Sequence, residues 1–261
     1  MKKSLFIAVG GALVGIVLWY MLGSGSDFSG NIAPSSDVLS DTATNTVISQ
    51  ATNTVSNITK DPLRIHAFQI IARKTQFKNS LTTGTRESID KMIEESVALI
   101  KKDYDDDMPW LNLGASWKVA GDYDGAVQAW EFLTIIRPQS FVAFNNLGDL
   151  YGFYIKNYIK AEYYLLRSIE LNTSNVDAYS QLASIYESFP DRLGDIEKLY
   201  LKGLALHPQN IWFKIGLGGY YEKIGDIEKA LAQYKETLML DPKNTTLQQL
   251  IQQLDKNPPQ Q

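Results

Sequence analysis

A spacing of 34 to 35 residues constrains this chain more than any other feature. A leucine follows three residues after a first position at Trp110/Leu113, Phe144/Leu147, Tyr179/Leu182 and Lys214/Leu217. That first position is large and apolar in three of the four pairs. Successive leucines are 34, 35 and 35 residues apart, and a closing position recurs with them at Pro138, Thr173, Pro208 and Pro242. Four units at one period are a strong signal, where a single match would be a weak one. A period of this length marks a supersecondary unit that cannot bury its apolar face alone and must stack on its neighbours.

The first unit shows the physics. Trp110, Leu113 and Trp117 are three and four residues apart, so they share one face of a helix. Gly121-Asp122 supplies a turn, after which Ala126 and Trp130 line a face of a second helix. Small Gly114 and Ala126 let the two helices approach closely. In the later units Ala161 and Ala230 take the place of Ala126. Ile196 takes it in the third, and Gly203 is expected to make the room that Ile196 fills. Lys214, at a position otherwise large and apolar, is expected to be partly exposed.

These residues, with Tyr123 and Pro138, resemble the tetratricopeptide repeat. The resemblance covers roughly residues 107 to 244, about half of the chain. It implies an all-α fold, a right-handed α-solenoid of about four helix-turn-helix repeats, spanning 107–140, 141–175, 176–210 and 211–244. The second and third units each carry one extra residue, and Pro190 ends the first helix of the third. Residues 245–257 read as a C-terminal capping helix, with Leu247, Leu250, Ile251 and Leu254 on one face and glutamines on the other. Residues 61–106 read as two helices separated by Thr82 to Thr85. They form either an N-terminal cap or a divergent repeat with Met92 where the small residue would be. Asp107 is expected to cap the next helix, with Pro109 in its first turn. Asp103, Asp105 and Asp107 alternate as calcium-loop ligands do, but Met108 stands where that loop requires glycine.

Before the repeats the composition changes twice. Leu5 to Leu22 is an uncharged stretch of 18 residues, preceded by Lys2 and Lys3 and ending near Trp19 and Tyr20. It is long enough to span a membrane, and charge asymmetry puts the N-terminus in the cytoplasm and the repeats outside. The alternative is a cleaved signal peptide and an exported soluble protein. From Gly23 to Lys60, 18 of 38 residues are Ser, Thr or Asn, too few of the rest being large and apolar to form a core. This stretch is expected to be a disordered tether with a reach of about 35 Å.

Composition narrows the chemistry. The chain has 261 residues, a net charge of −4, two histidines and no cysteine. The charge gives no pull toward nucleic acid. Thiol chemistry and disulfides are excluded, and no phosphate loop, His-x-x-x-His or Gly-x-Ser-x-Gly occurs. No enzyme, metal or cofactor is expected. What remains is recognition of a protein or peptide partner. The resemblance implies a concave groove lined by the first helices, holding an extended peptide. Its residues here would be Asn112, Asn145, Asn146, Asp149, Ser180, Gln181 and Ser184. Asn112 and Asn146 match the amide position of the family. Leu111, Asn145, Asp177 and Gln181 stand where a carboxylate clamp would need Lys or Arg, which argues against that subtype. A structural role, in which the solenoid self-associates or packs on an envelope component with an empty groove, is the other reading.

Overall fold

The computed structural model describes residues 61–256. The expected membrane span at 5–22 and the tether at 23–60 lie outside the described residues. Among the described residues no helix is long and apolar enough to cross a membrane. Contacts divide the chain into Met1–Pro62 and Leu63–Gln261, and the second unit carries the architecture. It is an all-helical α-solenoid.

Two helices come first, α1 (Pro62–Ile71) and α2 (Thr83–Lys102). Four hairpins follow: α3 (Asp107–Ala120) with α4 (Tyr123–Ile136), α5 (Phe141–Asp149) with α6 (Tyr158–Leu171), α7 (Val176–Tyr186) with α8 (Leu193–Leu206), and α9 (Ile211–Lys223) with α10 (Ile227–Leu240). A last helix, α11 (Thr245–Lys256), packs on α10 through Leu247 and Ile251. Ala126, Ala161 and Ala230 are all fully buried at the helix–helix contacts. Each hairpin packs on the next, and first helices also meet directly, α5 against α7 and α7 against α9. The second helices are not drawn together in this way, so the first helices form the inner row.

One contact recurs at every junction. The aromatic residue four after each repeat leucine, namely Trp117, Tyr151, Tyr186 or Tyr221, is buried. Tyr151 donates to Glu131 at 3.2 Å, Tyr186 to Glu162 at 2.6 Å and Tyr221 to Glu197 at 2.7 Å. Each carboxylate sits on the second helix of the preceding hairpin. A cation lies over each ring: Lys160 at 4.7 Å from Tyr151, Arg192 at 4.3 Å from Tyr186 and Lys229 at 5.1 Å from Tyr221. Burial holds the three phenols above their ordinary range, Tyr221 at about 12, so they remain donors. The Arg192 guanidinium, which bonds Glu162 at 2.8 Å, holds that carboxyl below the usual range.

Trp117 has no preceding hairpin, and residues 73–78 take that part. Its indole N–H donates to Thr75 Oγ1 at 3.1 Å, and the Arg73 guanidinium lies 5.1 Å from its ring. Arg73 pairs at 2.8 Å with Asp122, whose carboxylate also caps α4 through Gly125 N–H and accepts from Gln76 N–H at 2.9 Å. Lys78 N–H donates to Ala120 O at 2.9 Å. Gly121 and Gly125 are the residues these side chains cross, and a Cβ on either would strike Lys78 or Arg73. Upstream, Ala67, Ile70 and Ile71 of α1 are buried, and the His66 ring meets Phe132 of α4 at 5.5 Å. So α1 lies against the first hairpin, while the principal partner of α2 is α3.

Several local expectations are corrected. Thr83 to Thr85 do not separate the two helices but begin α2, with Thr82 as its cap; the separating segment is 72–82. Met92 is exposed; Ile89, Ser96 and Ile100 face α3 instead. The cap of α3 is Asp106, one residue before Asp107, because its side chain reaches Met108 N–H. Gly203 does not accommodate Ile196: a Cβ there would meet Phe213 at 3.0 Å and Tyr179 at 3.1 Å, so the glycine makes room for that aromatic pair. Phe213 is fully buried one residue before Lys214. Lys214 is partly exposed, as expected, and turns to Glu236.

The extra residue of the second unit has a definite location. In the first and fourth hairpins the capping aspartate returns its N–H to the junction aromatic five residues back, Asp122 to Trp117 and Asp226 to Tyr221. Gly121 and Gly225 permit this with φ of 85° and 82°. In the second hairpin Asn157 N–H returns to Tyr151 O, six residues back, at 2.8 Å. A π-helical turn at Leu150–Ile155 absorbs the added residue, and Lys156 takes the left-handed position at φ 64°.

Tyr186→Phe removes one junction bond without changing shape. It should lower stability by about 1 kcal/mol, read as a lower urea midpoint at unchanged m. A second prediction concerns α1. Burial lowers the His66 pKa below 6.5, against a smaller opposing effect of its hydrogen bond with Gln69. The docked helix therefore favours neutral imidazole. Its stabilisation is full above pH 6.5 and is lost as the pH falls from there through the lower native value. Amide exchange of residues 62–71 should accelerate more between pH 7.5 and pH 5.5 in the wild type than in His66→Gln, after correction for intrinsic rates. Equal acceleration in both would remove His66 as the cause.

Candidate functional site

The inner row presents one exposed stripe per first helix. On α3 it contains Met108, Asn112, Ala115 and Val119, all exposed. These residues are three and four apart, the complement of the buried set Trp110, Leu113 and Trp117. The same register on α5 contains Asn146, half-buried, and on α7 Gln181, also half-buried. The amide series Asn112, Asn146, Gln181 thus runs along one face of three successive first helices. Asn112 and Asn146 have no side-chain partner among the described residues. Gln181 Oε1 is buried with no hydrogen-bond partner among the described residues. An amide offers both a donor and an acceptor, which is what the backbone of an extended chain requires.

The other expected residues divide. Asn145 is engaged within the fold: its Oδ1 accepts from Asn175 Nδ2 at 3.1 Å, and Asn175 also donates to Ser168 Oγ at 2.9 Å. Ser168 in turn donates to Phe141 O at 2.9 Å. Asn145 therefore fixes the start of α7. Asp149 forms an ion pair with Lys118 across the first and second hairpins, and the Lys118 ammonium lies 4.4 Å from the Tyr154 ring. Tyr154 meets Tyr123 edge-on at 5.5 Å, and the Lys78 ammonium lies 4.7 Å from the Tyr123 ring. Ser180 and Ser184 are exposed, with Ser184 Oγ donating to Ser180 O at 2.9 Å.

The fourth hairpin breaks the series. Gly216 occupies the amide register, because the Tyr200 ring from α8 fills the space: a Cβ on Gly216 would lie 2.5 Å from Tyr200 Cζ. Trp212 stands at the start of the same helix, 60% exposed, with Gly219 exposed further along that face. The stripe therefore changes from amides and serines to an indole beside glycines. Sequence reading missed Trp212. Its signal was present: Phe213 next to it is the better apolar partner for the repeat core, which frees the indole to face outward.

No protein-family model and no curated protein sequence matches the chain. Among solved structures, it aligns with the crystal structure of MamA at 25% identity and a TM-score of 0.49, covering 64% of this chain and 98% of that one. It aligns with YrrB, a TPR protein with an unusual peptide-binding site, at 14% identity and a TM-score of 0.44, over 58% and 77% of the two chains. A third is TTC0263, a thermophilic TPR protein in Thermus thermophilus, at 19% identity and a TM-score of 0.47, over 65% and 89%.

The two glycines of α9 give a paired test of this floor. Gly216→Ala should cost about 1–3 kcal/mol through overpacking against Tyr200. Gly219→Ala meets only Tyr234 Oη at 3.8 Å and should be neutral or stabilising by up to about 1 kcal/mol, from helix propensity. Chemical denaturation of the two variants distinguishes a Tyr200-built floor from a uniformly open one.

Proposed function

We propose that this chain is a non-enzymatic scaffold of the tetratricopeptide-repeat type that binds an extended protein or peptide segment along its inner row of helices. The observation that carries the reading is the amide series. Asn112 and Asn146 lie on successive hairpins with no side-chain partner among the described residues, and Gln181 follows at the same register. Backbone recognition by such a ladder holds a chain without fixing its sequence. Side-chain preference then comes from the ends, where Met108 and Val119 lie at one and Trp212 at the other. Asp149, already paired with Lys118, belongs to the wall of the groove, and Asn145 to its framework. Ser180 and Ser184 contribute hydroxyls between the two.

The reading includes a membrane tether. The uncharged stretch Leu5–Leu22 would anchor the chain, with Met1–Ser4 cytoplasmic and the repeats on the opposite side. Lys2 and Lys3 before it, and no further Lys or Arg until Lys60, support that orientation. A groove-free structural role is favoured by a separate observation, an apolar stripe on the outer face of α6, taken up below.

Binding partners captured by the full chain supply the test. Asn146→Ala should weaken a groove-bound partner by about 1 kcal/mol or more, since a ligand backbone group loses its hydrogen bond. Folding should be nearly unchanged, because the Asn146 side chain supports no contact in the core. A partner held with unaltered affinity by the Asn112→Ala/Asn146→Ala double variant would remove the groove from the mechanism.

A further inference from the structure

The outer face of α6 departs from its counterparts. Ile159, Tyr163 and Leu166 are four and three residues apart, which places them on one stripe of the helix. They are 85%, 62% and 37% exposed. Matching positions follow from the residue each second helix buries, Ala126, Ala161, Ile196 or Ala230. They hold Asp124, Gln128 and Glu131 in α4, and Glu228, Ala232 and Lys235 in α10. In α8 only Leu201 is large and apolar. The hairpin fold therefore does not call for large apolar groups here. The patch continues into the preceding π-helical turn, where Phe153, Tyr154 and Ile155 are each a third or more exposed. Tyr154 packs on Tyr123, but the exposed apolar stripe of Ile159, Tyr163 and Leu166, which no other second helix repeats, marks a surface that something else covers.

The charges around the stripe indicate what covers it. Lys160 and Arg167 flank it on one side, and Lys156 stands in the turn with its ammonium 5.9 Å from the Phe153 ring. On the other flank Glu162 is held by Arg192, and at the far end Glu170 is paired with Arg167 at 2.9 Å. Residues 153–170 carry Lys156, Lys160 and Arg167 against Glu162 and Glu170, an excess of one cation in a chain whose net charge is −4, and Lys160 also donates to Tyr151 Oη at 3.0 Å. Aromatic and branched side chains flanked by Lys and Arg suit the boundary of a bilayer, where rings sit among headgroups and cations meet lipid phosphates. So small a patch binds a free surface weakly. The tether of the proposed function would remedy this, because the uncharged stretch Leu5–Leu22 would hold the chain at a bilayer. A tethered patch meets the surface at high effective concentration.

We propose that the α6 stripe and the turn before it dock on an anionic bilayer surface, laying the solenoid against the membrane with its inner row turned away. The inference uses the tether of the proposed function for its strength, and the two are tested separately. Because the chain has no cysteine, a single Tyr163→Cys label with an environment-sensitive fluorophore reports on this face alone. Lys235→Cys, on the outer face of α10, is the control. Full-length protein is mixed with vesicles of phosphatidylcholine and phosphatidylglycerol, and flotation measures the tether. The expected result is a blue shift at position 163, none at 235, a smaller shift on phosphatidylcholine alone, and loss of the shift on adding Ile159→Asp while flotation persists. Flotation without a shift at 163 overturns the docking and leaves the tether standing. A shift at 163 that grows with protein concentration in the absence of vesicles overturns it in favour of a second copy of the chain. Equal shifts at 163 and 235 overturn it as non-specific adsorption.

Discussion

A phenol hydroxyl buried between two helical hairpins costs about 1–3 kcal/mol if left unpaired, as the Tyr179 hydroxyl is among the described residues. Three junctions of this solenoid meet that demand in one way, with a glutamate from the hairpin before. The apolar contacts around each ring are non-directional and would tolerate a slip along the helices. The hydroxyl and carboxylate would not, since a slip of one turn breaks the bond between them. Tyr151, Tyr186 and Tyr221 thereby fix the order and register of the stack, and the cation over each ring balances the charge that the glutamate brings. The inner row inherits its alignment from these pins. Asn112, Asn146 and Gln181 form a series because the helices carrying them cannot slide.

At the N-terminal edge the same demand falls on Trp117, which has no hairpin before it. Thr75 and Arg73 supply the acceptor and the cation, and Asp122 joins them to the first turn. An extended segment thus does the work of a missing repeat. Stacked repeats need closed ends, since an open one presents an unpaired apolar face. At the other end α11 closes the stack with two buried residues and a glutamine-rich outer face.

The repeat period, the hairpins and the three buried alanines were legible because each follows from local spacing: a helix face recurs every three or four residues, and a period of 34 to 35 repeats it. What was not legible depended on partners far away in the chain. The segment 73–78 has no periodicity, and besides the Arg73 ion pair its bonds to Ala120 and Asp122 come from the backbone N–H groups of Lys78 and Gln76, which carry no sequence signal. Phe213 displaced Lys214 from the buried position because Tyr179 and Gly203 together form its slot, a fact spread over three helices. The groove was legible only as a register. Asn112, Asn145 and Asn146 look alike in sequence, yet Asn145 is committed to Asn175, 30 residues on. Trp212 was hidden by its neighbour: Phe213 is buried and Trp212 is not, and two aromatics in succession do not by themselves say which faces the core.

The π-helical turn at Leu150–Ile155 has a meaning beyond geometry. An inserted residue inside either helix of a hairpin would rotate everything after it by about 100° and bury the wrong face. Placed between the junction aromatic and the next cap, it is taken up before the second helix begins, and the closing bond from Asn157 to Tyr151 survives. The chain can therefore change length there one residue at a time without rewriting its core. That makes the first-to-second-helix turn the natural place for this lineage of sequence to vary, and the place where an engineer could splice in a loop while leaving both ends of the stack intact.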